Sequence, residues 1–253
     1  MSSRVRLNCD MGESFGQWPM GQDAAVMPHI QQANIACGFH ASDPDVMTAT
    51  AKLALEHKVS IGAHPGYADL QGFGRRHIPH SLEQIKHLIA YQVGALMGLT
   101  CQVGAQVDYV KPHGALYNLM MADSQVFSAI LAAVAQLPGK PALMVLSRAD
   151  NSEYQALAAD AGVPLLLEAF ADRAYTREGL LVPRNEPGAV LASNTDILRQ
   201  TALLAAGSVM TQDGGLLKLE VDSICVHGDN PASIQTIADI AAQLSGKSPL
   251  SNT

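Results

Sequence analysis

Seven short apolar runs recur along this chain, RVRLN, ANIAC, VSIGA, VDYVK, ALMVLS, VPLLLEA and SICVH, and segments with helical periodicity separate them. That alternation is the pattern of βα units arranged around a parallel sheet. The intervening segments also carry helix start signals. Ser42-Asp43-Pro44-Asp45 supplies a cap and a first-turn proline before VMTATAKLALEHK, Ser81 and Gln84 form a capping box before IKHLIAYQVGALM, and Asn230-Pro231 opens the last helix. Ile85, Leu88, Ile89, Val93 and Leu96 follow the i, i+3, i+4 rule, so that helix turns one apolar face toward the sheet. Seven βα units in 253 residues fit a closed or nearly closed barrel better than an open doubly wound sheet, although periodicity alone leaves both open. No internal repeat stands out, and the only linker-like composition is GKSPLSNT. Residues 1–253 are therefore expected to form one domain, with 246–253 as a flexible tail.

Composition narrows the classes of partner. A net charge of −7 and a pI near 5.6 argue against nucleic acid, which requires clustered Lys and Arg facing phosphates. Small molecules or proteins are the expected partners. Cys9, Cys37, Cys101 and Cys225 show no CxxC spacing, and three of them lie in or beside apolar runs, where a reduced thiol packs as a small hydrophobe. The N-terminus MSSRVRLNCD lacks the apolar segment of a signal peptide, and no stretch is long enough to span a bilayer. The expectation is a cytoplasmic protein with no membrane partner.

In either barrel or open sheet, ligands sit beyond the carboxyl ends of the strands, so residues that close each apolar run converge even when far apart in sequence. Four runs lead into a histidine with a Gly or Pro within two residues: His40, His64, His113 and His227. Asn8, Asp10, Lys111, Glu168 and Asp229 fall at the same ends. A single histidine there commonly just bonds a loop backbone, but four together point to function. Two long loops, 65–80 and 169–193, lie on this side and carry Arg75, Arg76, Arg173, Arg177 and Arg184. Loops of that length are usually lids or binding loops. Arg75 and Arg173 are the candidates to hold a carboxylate or phosphate by forked hydrogen bonds.

These residues carry a resemblance. NCDMGE (8–13), NIACGFHASD (34–43), GAHPGY (62–67), VKPHGALYN (110–118), FADRAY (170–175), LVPR (181–184) and VHGD (226–229) together resemble the LamB/YcsF family, the A subunits of prokaryotic 5-oxoprolinases. The match runs in order along nearly the whole chain, with Ala174 where the family usually has glycine. The resemblance implies an irregular seven-stranded parallel (β/α) barrel of the glycoside hydrolase/deacetylase type. It also implies ATP-dependent opening of the 5-oxoproline lactam to L-glutamate, in company with separately encoded subunits B and C. Phosphorylating the lactam oxygen would create a good leaving group. The chain has no G-x-x-x-x-G-K-[ST] loop, so ATP, with Mg2+, must be held otherwise or by a partner.

On that reading Asp10 and Glu13, just past the first strand, orient or deprotonate the attacking water. Lys111 shares a strand face with Val107 and Tyr109, points into the barrel mouth and neutralises charge developing on oxygen. His113 and His227 pass a proton to the departing ring nitrogen. Asn8, His40, His64, Arg75, Glu168, Asp172, Arg173 and Asp229 are the candidate substrate-binding residues. Two rivals stand beside this reading. In one, Asp10, His40 and His64 are the ligands of a metal-dependent deacetylase or amidohydrolase of the same barrel class, though no tight ligand spacing reinforces them. In the other, the chain is a non-catalytic subunit that only binds the ligand.

Overall fold

The computed structural model describes residues 5–184, 186–226 and 231–246, the side chains of 231–233 excepted. Seven strands close a barrel: β1 (Arg6–Met11), β2 (Gln32–Ala36), β3 (Ser60–His64), β4 (Val107–Val110), β5 (Ala142–Leu146), β6 (Leu165–Phe170) and β9 (Ser223–Cys225). Each pairs in parallel with the next, and β9 closes the ring between β6 and β1. Each of the seven apolar runs supplies one of these strands. A two-stranded antiparallel sheet, β7 (Ser208–Met210) and β8 (Leu216–Lys218), lies in the connection between β6 and β9 and was not anticipated.

The helices form where their caps predict. Asp43 accepts hydrogen bonds from the Asp45 and Val46 backbone N–H groups and starts α2 (Pro44–Glu56), with Pro44 in its first turn. The Ser81–Gln84 capping box starts α3 (Leu82–Gln102), and all five expected apolar positions of that helix are buried. Each such aliphatic side chain contributes roughly 1.5–3 kcal/mol by leaving water. Between β4 and β5 the chain makes two helices, α4 (Gly114–Ala122) and α5 (Ser124–Ala135), and Asp123 caps the second. Beyond α6 (Ser152–Ala161), the long connection holds α7 (Asn194–Ala205), and α8 (Pro231–Leu244) follows the last barrel strand. Among the described residues no single helix is long and apolar enough to cross a membrane.

Strand alternation divides apolar from polar faces. Leu7, Cys9 and Met11 in β1 and Ala33 and Ile35 in β2 belong to the apolar core. Asn8, Gln32 and Asn34 alternate with them and are fully buried polar residues. Gly62 of β3 is opposite Tyr109 of β4, and a Cβ there would overlap the tyrosine ring, so only glycine lets that ring lie across its neighbour strand.

Two buried glutamines tie the loops to the helices. Gln92 of α3 donates to the Gly66 carbonyl at 2.9 Å and accepts from the Gly66 N–H at 3.0 Å, pinning the chain as it leaves β3. Gln200 of α7 donates to the carbonyls of Phe170, Ala171 and Arg173, pinning the chain as it leaves β6. The second long loop is more ordered than expected: β6 runs through Phe170, and Arg173 and Tyr175 make isolated bridges to Val190 and Leu181. Positive φ occurs at Phe73 but not at Ala174, so the loop around Ala174 has no need of glycine.

Candidate active site

The strand-borne polar residues form one connected network in the barrel interior. Tyr109 Oη donates to Asn34 Oδ1 at 2.6 Å, and Asn34 Nδ2 donates to Asn8 Oδ1 and Asp10 Oδ1, each at 2.8 Å. Asn8 Nδ2 donates in turn to Ser223 Oγ at 2.7 Å. Burial raises the Tyr109 pKa, so its hydroxyl keeps the proton it donates. The network fixes which oxygen of Asp10 is engaged and aims the carboxylate.

Lys111 follows directly on β4 and is 3% exposed, so its ammonium does not reach solvent. Nζ lies 3.2 Å from Asp10 Oδ1, 3.3 Å from Asn8 Oδ1 and 3.3 Å from Cys225 Sγ. It lies 2.7 Å from Glu168 Oε1, a charge contact without the alignment of a hydrogen bond, and 5.5 Å from the centre of the Phe170 ring. Burial pulls the lysine pKa down, but the surrounding groups, Asp10 first, then Cys225 and Glu168, carry it well above the ordinary value. The ammonium is therefore a fixed positive charge. Tyr117 of α4 donates to Glu168 Oε2 at 3.0 Å and holds that carboxylate from the other side.

Three histidines gather next to this cluster. His64 Nε2 lies 3.3 Å from Asp10 Oδ2 and 2.9 Å from His113 Nδ1. His40 stacks on His113 with ring centroids 3.8 Å apart and planes within 1° of parallel. Burial, then the neighbouring His64, lowers the His113 pKa to about 3, so the ring is neutral near pH 7. Burial, then His113 and His64, lowers that of His40 well below the usual histidine value. The loop after β3 closes over these rings. Phe73, in a left-handed conformation unusual for an aromatic residue, presents its carbonyl to His113 Nε2 at 2.8 Å. Groups that could hold a cation are His40, His64 and His113, and Asp10, Glu13 and His113. Within each set the ligand atoms all lie within 4.8 Å of one another.

The structure brings together Asn8, Asp10, Glu13, His40, His64, Lys111, His113 and Glu168, all expected from the sequence. Four placements differ. Asp10 lies within β1, not past it, because pairing with β2 continues through Met11. Asn8 and Glu168 are likewise mid-strand residues facing inward, not strand-end residues. Arg173 is buried and directs Nη2 to the Val182 carbonyl at 2.6 Å and Nε to the Ala189 carbonyl at 3.2 Å, so these donors serve its own loop. Arg75 is exposed at the rim, its guanidinium 5.2 Å from the centre of the Phe73 ring. Asp172 is buried at the start of the loop beyond β6. His227 and Asp229 lie outside the described residues. Sequence reading missed Asn34, Tyr109, Tyr117 and Cys225. The available signal was strand alternation, which puts Asn34 in register with Asp10 and Tyr109 two residues before Lys111.

A closed (β/α) barrel that gathers a carboxylate–lysine–carboxylate set and a histidine cluster on strands and the loops beyond them is a TIM-like barrel with a polar cluster of candidate catalytic residues. The LamB/YcsF family model matches residues 5–249, and the chain belongs to that family. It is 54% identical over 248 residues to the 5-oxoprolinase A subunit of Vibrio cholerae, covering 96% of this chain and 99% of that one. It is 52% identical over 244 residues to a 5-oxoprolinase A subunit of Pseudomonas putida, covering 96% and 95%. Among solved structures, the lactam utilization protein of Thermus thermophilus superposes with a TM-score of 0.87 at 36% identity, covering 96% of this chain and 97% of that chain.

Proposed function

We propose that this chain is the A subunit of an ATP-dependent 5-oxoprolinase that opens the lactam of 5-oxo-L-proline to L-glutamate together with further subunits, B and C. The observation that carries the reading is its full-length 54% identity to a relative of that name. The buried, permanently charged Lys111 between Asp10 and Glu168 is what such chemistry requires of the barrel. In this reading the chain is one barrel domain working in the cytoplasm. ATP with Mg2+, held by a partner, supplies the phosphoryl group that activates the lactam oxygen.

Each residue then has a task. Asp10 takes the proton from the attacking water, and Glu13 beside it assists in orienting that water. Lys111 stabilises negative charge growing on the lactam oxygen in a site from which water is excluded, where a fixed charge is most effective. His113, neutral and next to His64, relays a proton toward the departing ring nitrogen, with His227 in the same role. Arg75 at the rim receives the substrate carboxylate. Asn8, His40, His64, Glu168, Asp172, Arg173 and Asp229 shape the pocket around the substrate, Arg173 by holding its own loop.

The test is glutamate release from 5-oxoproline and ATP by the assembled complex carrying wild-type chain or Asp10→Asn. The expected loss in the variant is about 100-fold or more, the scale of a removed general base. Absence of glutamate release by the complete wild-type complex would overturn the function, and full turnover by the variant would remove Asp10 as the base.

A further inference from the structure

We propose that Asp10, His64 and His113, with His40 beside them, form a binding site for one divalent transition-metal ion of the Zn2+ class. Hydrogen-bond polarity is what points to it. His64 Nδ1 lies 2.6 Å from the Lys111 carbonyl, and His113 Nε2 lies 2.8 Å from the Phe73 carbonyl. A carbonyl oxygen only accepts, so each of those nitrogens carries the ring proton. Unless a ring takes up a second proton, the other two nitrogens, His64 Nε2 and His113 Nδ1, then offer only lone pairs. Yet these two face each other at 2.9 Å, and Asp10 Oδ2 stands 3.3 Å from the same His64 Nε2. Three electron-pair donors are thus aimed into one small volume, and a cation placed among them resolves the repulsion.

The spacing fits such an ion. Ligand atoms each about 2.0–2.2 Å from a metal stand roughly 3–3.5 Å apart around it, which brackets the His64–Asp10 separation and nearly meets the His64–His113 one. The backbone carbonyls that fix the two tautomers are the outer partners that metal-bound imidazoles ordinarily have. A second observation is His40. Both of its ring nitrogens are buried without a hydrogen-bond partner, and it belongs to the set of three histidines whose ligand atoms lie within 4.8 Å of one another. A buried imidazole with neither nitrogen satisfied is costly unless something binds it. Mixed imidazole and carboxylate donors suit Zn2+ and its neighbours and are poorly matched to Mg2+, which prefers an all-oxygen shell. Ligand geometry carries this inference independently of the lactam reading; with an ion bound, Asp10 and His113 act as its ligands and not in the proton transfers given to them above.

The experiment uses the full chain, stripped with chelator and then titrated with Zn2+ by calorimetry and with Co2+ by absorption and proton NMR. The expected result is one ion per chain, ligand-field bands for Co2+, and shifted imidazole N–H resonances from at least two histidines. His64→Gln and His113→Gln should each weaken binding by more than the roughly 10–100-fold typical of losing an outer partner, whereas His87→Gln, exposed on α3, should leave it unchanged. Where a ligand variant does not fold, the Co2+ spectrum of the wild-type chain decides. Failure of the wild-type chain to take up either ion stoichiometrically, or uptake unaltered in folded His64→Gln and His113→Gln proteins, would overturn the proposal and leave the two rings sharing a proton instead.

Discussion

Nζ of Lys111 lies 2.7 Å from Oε1 of Glu168, the former 4% and the latter 0% exposed at the side chain, and Asp10 approaches the same ammonium at 3.2 Å. One buried cation therefore faces two carboxylates, Glu168 fully buried and Asp10 partly so. Lys111→Met keeps most of the stem and removes the charge, leaving Asp10 and Glu168 without it. The chain should still fold but lose about 3–5 kcal/mol of stability, the usual result of breaking a buried ion pair from one side, and activity should fall by orders of magnitude. Adding Glu168→Gln should recover part of the stability and none of the activity. Urea denaturation read beside turnover checks this; a Lys111→Met chain with wild-type rate would take the ammonium out of the chemistry.

Gln92 makes one amide serve as both donor and acceptor for the backbone of Gly66. Gly66 in turn sits so close to His40 that a Cβ on it would lie 2.7 Å from Nδ1. Gln92→Leu should fill the space but strand a buried N–H and C=O, costing on the order of 3 kcal/mol. Hydrogen exchange should show the backbone around Gly66 opening more readily than the rest of the barrel. Unchanged protection there would mean the loop is held by other contacts.

The sequence made the barrel legible because each strand falls on a short, mostly apolar run bounded by helical segments, and the ends of those runs placed His64, His113 and Lys111 at the ends of β3 and β4. The order of closure was less visible. β7 and β8 are three residues each, too short to register against the helices around them, so β9 could not be seen to bypass them and pair with β6 and β1. The inner network was also hidden. Asn34 and Tyr109 sit inside apolar runs, where a polar residue reads as an interruption unless the strand face is followed residue by residue. Gln92 and Gln200 were obscured in the same way, as polar positions on the buried stripes of α3 and α7. The loop contacts of Arg173 were not visible because sequence does not reveal which donors a loop's own carbonyls will engage.

Asp23 of α1 (Asp23–Val26) accepts from the Gly12 N–H at 2.9 Å and the Thr50 hydroxyl at 3.0 Å, both on Oδ2. Burial raises its pKa against the lowering effect of those two hydrogen bonds. A carboxyl with a raised folded-state pKa contributes stability that is fully present below its unfolded pKa, near 3.8, and is lost as pH rises through the folded value. Asp23→Asn can keep both accepted bonds on its one oxygen while removing the partly buried charge. It should therefore be neutral or stabilising at pH 7, and its advantage should vanish on acidification below about pH 4. Thermal melts of both chains across that range check the sign; a variant destabilised at pH 7 and relatively better in acid would contradict it.

That this barrel opens the lactam but depends on partners for ATP is the central claim. Its most direct test is ATP-dependent glutamate release from 5-oxoproline by the purified chain alone, compared with the same chain after addition of its companion subunits. The predicted result is little or no release by the isolated chain and full release on reconstitution, abolished again by Lys111→Met. Full ATP-coupled turnover by the isolated chain would contradict that claim.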